Sequence, residues 1–394
     1  MPKWEKMTVG DLCDTISNSY RGDDKEVVLI NTSDVLEGKV LNHQVVENKN
    51  LKGQFKKTFK ENDILYSEIR PANKRYAFVD FSDTDNYIAS TKLMVLRPRM
   101  DVVRPRFLFS FLSSKSVLEE LQQLAETRSG TFPQITFSSE LAPTPINVPD
   151  LETQDRIVGI LGVIERKISM NAEINKNLLQ QSLYIFETLI NSTSKDGCIG
   201  DYCTLKSGFA FKSKWWQDSG IPVIKIGSIN QDYLNLSNCS HVSEDKISLA
   251  KDFIVSGGDL LIAMTGATIG KFTMVPKIHK TILVNQRVGK FFLGENPINK
   301  IPFIYCTLKQ PEIISEIINR GQGSAQPNIS ASDIMSIPCV IPQTDEINNF
   351  NLQTAPMFEL IINNQFENLI LAKTRDLLLP RLMSGEIDTS NISF

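Results

Sequence analysis

Val27–Ile30, Ile64–Tyr66, Tyr76–Val79 and Ile88–Leu96, and further on Ile221–Ile226, Asp259–Met264 and Thr281–Phe292, are short apolar runs separated by Gly, Pro, Asn and Asp. Runs of that length, rich in Val, Ile and aromatics, predict strands with a few short helices among them. After Pro149, and again after Pro342, the pattern changes to a helical period. It predicts one helix from about Glu152 to about Asn191 and another from about Asp345 to about Leu379, where Pro380 should end it. At 1.5 Å per residue, ~35 to 40 helical residues reach ~50 to 60 Å, longer than a compact domain needs.

The chain also repeats itself. Val9-Gly10-Asp11-Leu12-Cys13 returns as Ile199-Gly200-Asp201-Tyr202-Cys203, and Asn62-Asp63-Ile64-Leu65 returns as Gly258-Asp259-Leu260-Leu261. Val28-Leu29-Ile30 matches Pro222-Val223-Ile224, and Pro145 and Pro149 match Pro338 and Pro342. Ser129-Gly130-Thr131-Phe132-Pro133-Gln134-Ile135-Thr136 matches Gly323-Ser324-Ala325-Gln326-Pro327-Asn328-Ile329-Ser330. These pairs keep one order, with offsets between 190 and 196, so they point to a duplicated unit of strands followed by one long helix.

The two helices match position by position. One heptad column holds Ile157, Ile164, Asn171, Leu178 and Ile185, and its counterpart holds Phe350, Met357, Asn364, Leu371 and Leu378. Asn171 and Asn175 recur as Asn364 and Asn368. An apolar seam broken by buried asparagine fixes the register of a coiled coil at a cost in stability. Two separate helices with solvated asparagines would show the same pattern. A chain running domain, helix, domain, helix can pair its helices antiparallel, with the domains at opposite ends of a pseudo-two-fold axis.

Among the 394 residues, 42 Lys and Arg against 45 Asp and Glu give a net charge of −3, which excludes a uniformly basic coat. Six scattered cysteines without a CxxC pair, and three histidines, argue against a zinc cluster or a disulfide framework and for free thiols in a reducing compartment. The N-terminus lacks the apolar stretch of a signal peptide, and no uncharged apolar run approaches the ~18 residues of a membrane span. A cytoplasmic protein with no membrane contact is expected.

Catalytic signatures fail on inspection. Gly266-Ala-Thr-Ile-Gly270-Lys271-Phe272 is one residue short of a phosphate loop and has Phe where Ser or Thr must hold magnesium. Gly321-Gln-Gly323-Ser-Ala-Gln326 lacks the third glycine of a dinucleotide fingerprint. Asp150, Glu165 and Lys167 fit a nuclease pattern on paper, but Glu165 and Lys167 lie two apart on a helix, about 200° around its axis, and cannot serve one metal. A binding protein is expected.

Its basic residues are clustered. Lys52–Arg75 carries seven basic against three acidic residues, including Arg70, Lys74 and Arg75 beside Tyr76, and Gly266–Lys290 carries no acid at all. Lys271 and Arg287 lie in that second stretch. Such patches supply phosphate contacts, whereas base reading needs paired donors and acceptors from Arg, Lys, Asn and Gln. The repeated polar loop offers them: Arg128, Ser129, Thr131, Phe132 and Gln134 in the first copy, and Gln322, Ser324, Gln326 and Asn328 in the second. Lys212, Trp215, Lys225, Thr265 and Thr268 complete the candidate DNA-binding set. The Phe and Trp side chains of Phe209–Trp216 fit either a DNA contact or a core.

Two β-rich domains, each followed by a long helix beginning near Pro149-Asp-Leu-Glu-Thr-Gln154, resemble the specificity subunit of type I restriction-modification enzymes. Phe209-Ala-Phe211-Lys212-Ser, Ile221-Pro-Val-Ile-Lys-Ile226, Gly266-Ala-Thr-Ile-Gly-Lys271, Gln326-Pro-Asn-Ile-Ser330 and Leu377-Leu-Leu-Pro-Arg-Leu-Met-Ser-Gly-Glu386 are similar to that family's recurring phrases. The first copy departs from that wording at its loop, with Thr-Phe-Pro-Gln in place of Gln-Pro-Asn, and at Arg70–Arg75.

The resemblance implies an α+β chain: target-recognition domains at 1–150 and 197–342, spacer helices at 151–196 and 343–394, and the helices paired as an antiparallel coiled coil. It further implies that each recognition domain reads half of a bipartite double-stranded DNA target, and that two methyltransferase subunits dock on the helices. Restriction/translocase subunits would complete the complex. S-adenosylmethionine, ATP and Mg would belong to those partners, and this chain would bind no cofactor and catalyse nothing. A coiled-coil scaffold carrying two protein-binding β-domains is the alternative reading. The charge divides accordingly: 197–342 holds 14 basic against 11 acidic residues and 343–394 holds 3 against 7, so the deficit lies mostly in the second helical segment.

Overall fold

The computed structural model describes residues 4–22, 24–49, 53–128, 131–192, 195–231, 233–236, 239–322 and 327–392. It divides into two units, one formed by 1–166 with 372–394 and the other by 167–371.

In the first unit, Glu5–Thr8 pairs antiparallel with Pro145–Val148, joining the start of the domain to its end. A single helical turn, Val9–Leu12, follows, with the Asp11 carboxylate accepting from the N–H and hydroxyl of Thr8 at 2.8 and 2.7 Å. The main sheet is antiparallel, in the order Cys13–Ile16, Leu93–Pro98, Ile64–Ser67, Tyr76–Phe78. A second sheet runs Val45–Glu47, Glu26–Ile30, Tyr87–Ser90, Phe55–Lys57, with its two central strands parallel.

Both faces of the main sheet are covered. Ile64, Tyr66, Met94 and Leu96 pack with Phe107, Leu108 and Leu121 of helices Pro105–Leu112 and Lys115–Arg128, while Leu65 and Val95 join Val28, Ile30 and Ala89. This explains why these strands read as continuous apolar runs: a strand buried on both faces needs no polar alternation.

The second unit repeats the plan. Asp196–Cys198 pairs with Pro338–Val340, and Ile199–Tyr202 forms the same single turn, with Asp201 accepting from the Cys198 N–H at 2.8 Å. Its main sheet runs Thr204–Ser207, Val288–Phe292, Leu260–Ala263, Phe272–Met274, and its helices are Ile301–Lys309 and Pro311–Gly321. Its second sheet again holds a parallel pair, Ile221–Ile224 with Leu283–Val284, here with Leu283–Val284 at the sheet edge, and Ile221–Ile224 has Ser240–Val242 as its antiparallel neighbour. The copies differ at the edge. The first adds Phe55–Lys57 beside Tyr87–Ser90, and the second adds Trp216–Gln217 beside Ser240–Val242.

A buried aspartate recurs in each copy. Asp63 accepts from the Lys60 N–H and pairs with Arg97 at 2.7 Å; Asp259 accepts from the Ser256 N–H and pairs with Lys290 at 2.8 Å. The cations come from different positions along equivalent strands, so the charge pairing persists while the partner residue does not.

The long helices run Leu151–Asn191 and Thr344–Met383. Pro380 does not end the second one. So near a C-terminus a proline forgoes one hydrogen bond, and the last turn closes through the Ser384 N–H donating to Pro380 O at 2.9 Å. Pro356 lies within the same helix; the carbonyl it leaves without a donor belongs to Leu352, which is 79% exposed and open to hydration.

Within the second unit the helices pack antiparallel: Phe186 against Phe350, Ser182 against Met357, Asn175 against Asn364 and Asn171 against Asn368. Asn364 donates to the Asn175 side chain at 2.8 Å, and Asn171 donates to the Asn368 side chain at 2.9 Å. One of these pairs becomes the other when the two helices are exchanged. Asn171 and Asn364 are buried, and the four asparagines expected to fix the register are the ones that take part in these two bonds. Glu367 breaks the local symmetry, accepting from Asn171 at 2.7 Å and pairing with Lys167 at 3.2 Å. In the first unit Ile157 and Leu161 cluster with Leu379 and Leu382, the same antiparallel spacing.

Gln154 anchors the first long helix to its domain. The side chain is fully buried; its amide donates to Val102 O at 3.1 Å and Pro149 O at 2.8 Å, and its oxygen accepts from the Arg104 N–H at 2.7 Å. In the second copy a different residue does this work. Asn351, 3% exposed, accepts from the Phe303 N–H at 3.0 Å and donates to the Tyr202 hydroxyl at 3.0 Å.

Candidate nucleic-acid interface

In the second unit, backbone hydrogen bonds gather distant loops at one end of the main sheet. Met264 N–H donates to Arg287 O at 3.0 Å, Ile329 N–H to Met264 O at 3.0 Å, and Gly266 N–H to Pro327 O at 2.9 Å, so Thr265 and Asn328 face each other in a single antiparallel bridge. Gln286 N–H donates to Phe209 O, and Asn285 N–H to Ile224 O, both at 3.0 Å. Lys225, Arg287, Thr268 and Asn328 therefore belong to one surface.

The first unit builds the same junction. Glu68 N–H donates to Lys92 O at 3.1 Å, Ile135 N–H to Glu68 O at 2.8 Å, and Arg70 N–H to Pro133 O at 3.1 Å, leaving Ile69 opposite Gln134. Gln134 and Asn328 are thus structural equivalents, as the repeat implied. So are Lys92 and Arg287, and Glu68 and Met264.

The turns carried by these junctions, Pro71–Asn73 and Gly266–Thr268, each come with two left-handed residues four positions apart. In the second copy these are glycines, Gly266 at φ +71° and Gly270 at φ +81°. In the first they are Arg70 at φ 45° and Lys74 at φ 53°. A residue with a Cβ in this region carries strain of about 1 kcal/mol or more. The first copy thus holds two cations where the backbone favours glycine.

Side chains at the two surfaces have different surroundings. In the first, Arg70 and Thr131 are exposed and Phe132 is 48% exposed, while Lys74 pairs with Glu37 at 2.9 Å and Arg128 with Glu140 at 3.1 Å. Lys92 pairs with Glu68 at 3.4 Å. The half-buried Lys57 ammonium donates to Thr91 O and Leu93 O; burial holds its pKa below the usual lysine value against the pull of Glu68.

In the second surface, Lys212, Lys271, Gln322, Asn328 and Arg287 are exposed. Lys225 lies 3.7 Å over the Trp216 ring, and Trp215 stacks on Phe209 under Lys212 and Lys246. Burial, and next the neighbouring Arg287, hold the Lys225 pKa below its ordinary value. The aromatic run divides: Phe211 joins Val223, Val242 and Leu283 in a small core, while Phe209, Trp215 and Trp216 are half-buried at its rim.

Three candidates take another place than expected. Tyr76 is core, 7% exposed and stacked on Tyr66, because its strand is covered on that face by Phe109. Arg75 turns back to donate to Ser33 O and Val35 O at 2.9 and 3.4 Å. Thr265 is 8% exposed, its hydroxyl without a hydrogen-bond partner, and only its carbonyl is used, by Thr268 at 3.2 Å. Ser129, Ser324 and Gln326 lie outside the described residues. The nuclease set has other duties: Asp150 accepts from the Thr153 N–H at the start of the helix, and Lys167 pairs with Glu367.

Lys92 and Glu68 escaped the sequence reading because they fall between recognisable phrases. The repeat contained the signal, since an offset of 195 places Lys92 on Arg287.

Residues 1–180 and 191–368 each match the type I restriction modification DNA specificity domain. The chain belongs to that family. The type I restriction enzyme HindI specificity subunit of Haemophilus influenzae is 31% identical across 98% of this chain and 100% of its own length. The MjaIX specificity subunit of Methanocaldococcus jannaschii is 24% identical across 73% of this chain and 70% of its own. In fold, the chain is similar to the crystal structure of a type I restriction-modification S subunit from M. genitalium, with a TM-score of 0.52 and 17% identity over 97% of this chain and 96% of that one. This specificity subunit recognises DNA and is not itself catalytic. Its two matched segments are the two copies of the repeat. Among the described residues, no helix is long and apolar enough to cross a membrane.

Proposed function

We propose that the two junctions are separate readers of one bipartite double-stranded DNA target, the first through Arg70, Lys74, Arg128, Thr131, Phe132 and Gln134, the second through Lys212, Trp215, Lys225, Thr268, Lys271, Arg287, Gln322 and Asn328. The observation that carries this reading is that one backbone junction is built twice, with Gln134 opposite Ile69 in one copy and Asn328 opposite Thr265 in the other. An identical frame with different donors and acceptors is what two different base sequences require.

The paired helices dock two methyltransferase subunits, which bring S-adenosylmethionine and methylate adenine in each half. Restriction/translocase subunits with ATP and Mg cleave unmodified DNA. The complex works in the cytoplasm.

Mapping methylated positions in DNA from cells carrying the complex tests the reading. Gln134→Ala should relax one half of the target and Asn328→Ala the other. A change that altered both halves equally would refute two separate readers.

A further inference from the structure

At the centre of each junction lies a cation that the repeat places in register. The Lys92 carbonyl accepts from Glu68, and the Arg287 carbonyl accepts from Met264, in the same step of the same sheet. Arg287 is held twice, since its N–H also donates to the Asn285 side chain at 3.3 Å. Its guanidinium is exposed and has no ion pair among the described residues. Lys225, the neighbouring cation, is held at 3.7 Å over Trp216, and the segment from Gly266 to Lys290 contains no acid. A guanidinium on a fixed backbone, beside a second cation and with Asn328 across the junction, wants a ligand rich in acceptors.

The first copy is different. There the equivalent lysine has Glu68 at 3.4 Å, so a donor and an acceptor stand side by side.

Among the base pairs, guanine presents two acceptors, O6 and N7, at the spacing of a guanidinium fork. We propose that Arg287 reads a guanine through the major groove in the half-site of the second recognition domain, and that Lys92 holds the equivalent position in the first, where Glu68 changes what can be read. This rests on the DNA reading above and adds the residue and the base. A phosphate contact by Arg287 is the competing role, and it carries no base preference.

The test uses the full chain assembled with its modification subunits and a randomised duplex library, with bound duplexes sequenced. The unsubstituted complex should enrich a two-part sequence with a guanine in one part. Arg287→Gln should lower the preference for that guanine by roughly 10- to 100-fold, the discrimination of one bidentate contact, and leave the other part unchanged. Lys92→Gln should alter only the other part.

Should Arg287→Gln bind too weakly to be read, Arg287→Lys decides, because it keeps the charge and loses the fork. It should bind, with the guanine preference reduced at least about tenfold. An unchanged preference in Arg287→Lys, or a uniform loss of affinity with both parts intact and a salt dependence shallower by about one phosphate contact, overturns the assignment. If the unsubstituted complex enriches no two-part sequence, the DNA reading itself fails, which is a separate result.

Discussion

Replacing Gln154 by Met keeps the length and most of the volume of a fully buried side chain while deleting three hydrogen bonds, to Val102 O, Pro149 O and the Arg104 N–H. At about 1 kcal/mol of net stability per bond the loss is about 3 kcal/mol. The largest share falls on the Arg104 N–H, whose bond to Gln154 is the shortest of the three at 2.7 Å. With a urea slope of about 2 kcal/mol per molar, the midpoint of the transition of the first unit should fall by about 1.5 M.

Gln154→Glu sharpens the test. It keeps an acceptor for Arg104 but turns a carboxylate oxygen toward the two carbonyls that accept from the amide. Burial against carbonyls raises the folded pKa of that glutamate above its unfolded value of about 4.3. The native state then binds more protons than the unfolded one, so stability relative to Gln154 is greatest below about pH 4.3 and declines as pH rises through the raised folded pKa. Equilibrium urea unfolding at pH 4 and pH 7 reads both. If Gln154→Met unfolds within about 0.5 kcal/mol of the unsubstituted chain, or if the deficit of Gln154→Glu is the same at both pH values, these bonds do not hold the helix to its domain.

Asp259→Ala should destabilise the second unit by about 3 to 5 kcal/mol in denaturant unfolding, because it strands the Lys290 ammonium, whose side chain is 11% exposed. Gly266→Ala should lose about 1 kcal/mol to the left-handed backbone alone, since the added Cβ would meet nothing nearer than Ile226 Cδ1 at 3.9 Å; thermal unfolding measures it. The reciprocal change, Arg70→Gly, should leave stability within about 0.5 kcal/mol, because relieved strain offsets the greater freedom of the unfolded chain, yet weaken DNA binding and flatten its salt dependence. Asn364→Ala should cost about 1 to 2 kcal/mol through the lost bond to Asn175, and Asn175→Ala combined with it should cost less than the sum of the two single changes, a coupling that a double-mutant cycle in urea resolves.

The duplication, the strands and both long helices were legible because they rest on period and order, which survive substitution. The positions that hold each helix to its domain were not legible as such in either copy. Gln154 falls inside a recognisable phrase, whereas Asn351, which does the same work, lies four residues past the matching offset and pairs with different atoms. Tyr76 was misplaced for a related reason: a tyrosine after Lys-Arg reads as surface in sequence, and only its strand's position under Phe109 shows it to be core. Lys92 was invisible because a lone lysine has no pattern, and becomes visible once the backbone ties it to Glu68 as Arg287 is tied to Met264.

These differences share a physical cause. The hydrogen bonds that build each junction are backbone to backbone and tolerate almost any side chain, so the frame persists while Gln134 and Asn328, Glu68 and Met264, Lys92 and Arg287, and even Arg70 and Gly266 diverge. A protein that must present two different reading surfaces from one duplicated unit needs that separation. Where the side chain itself forms the frame, as Asp63 and Asp259 do by accepting from the backbone three residues earlier, the residue is the same in both copies.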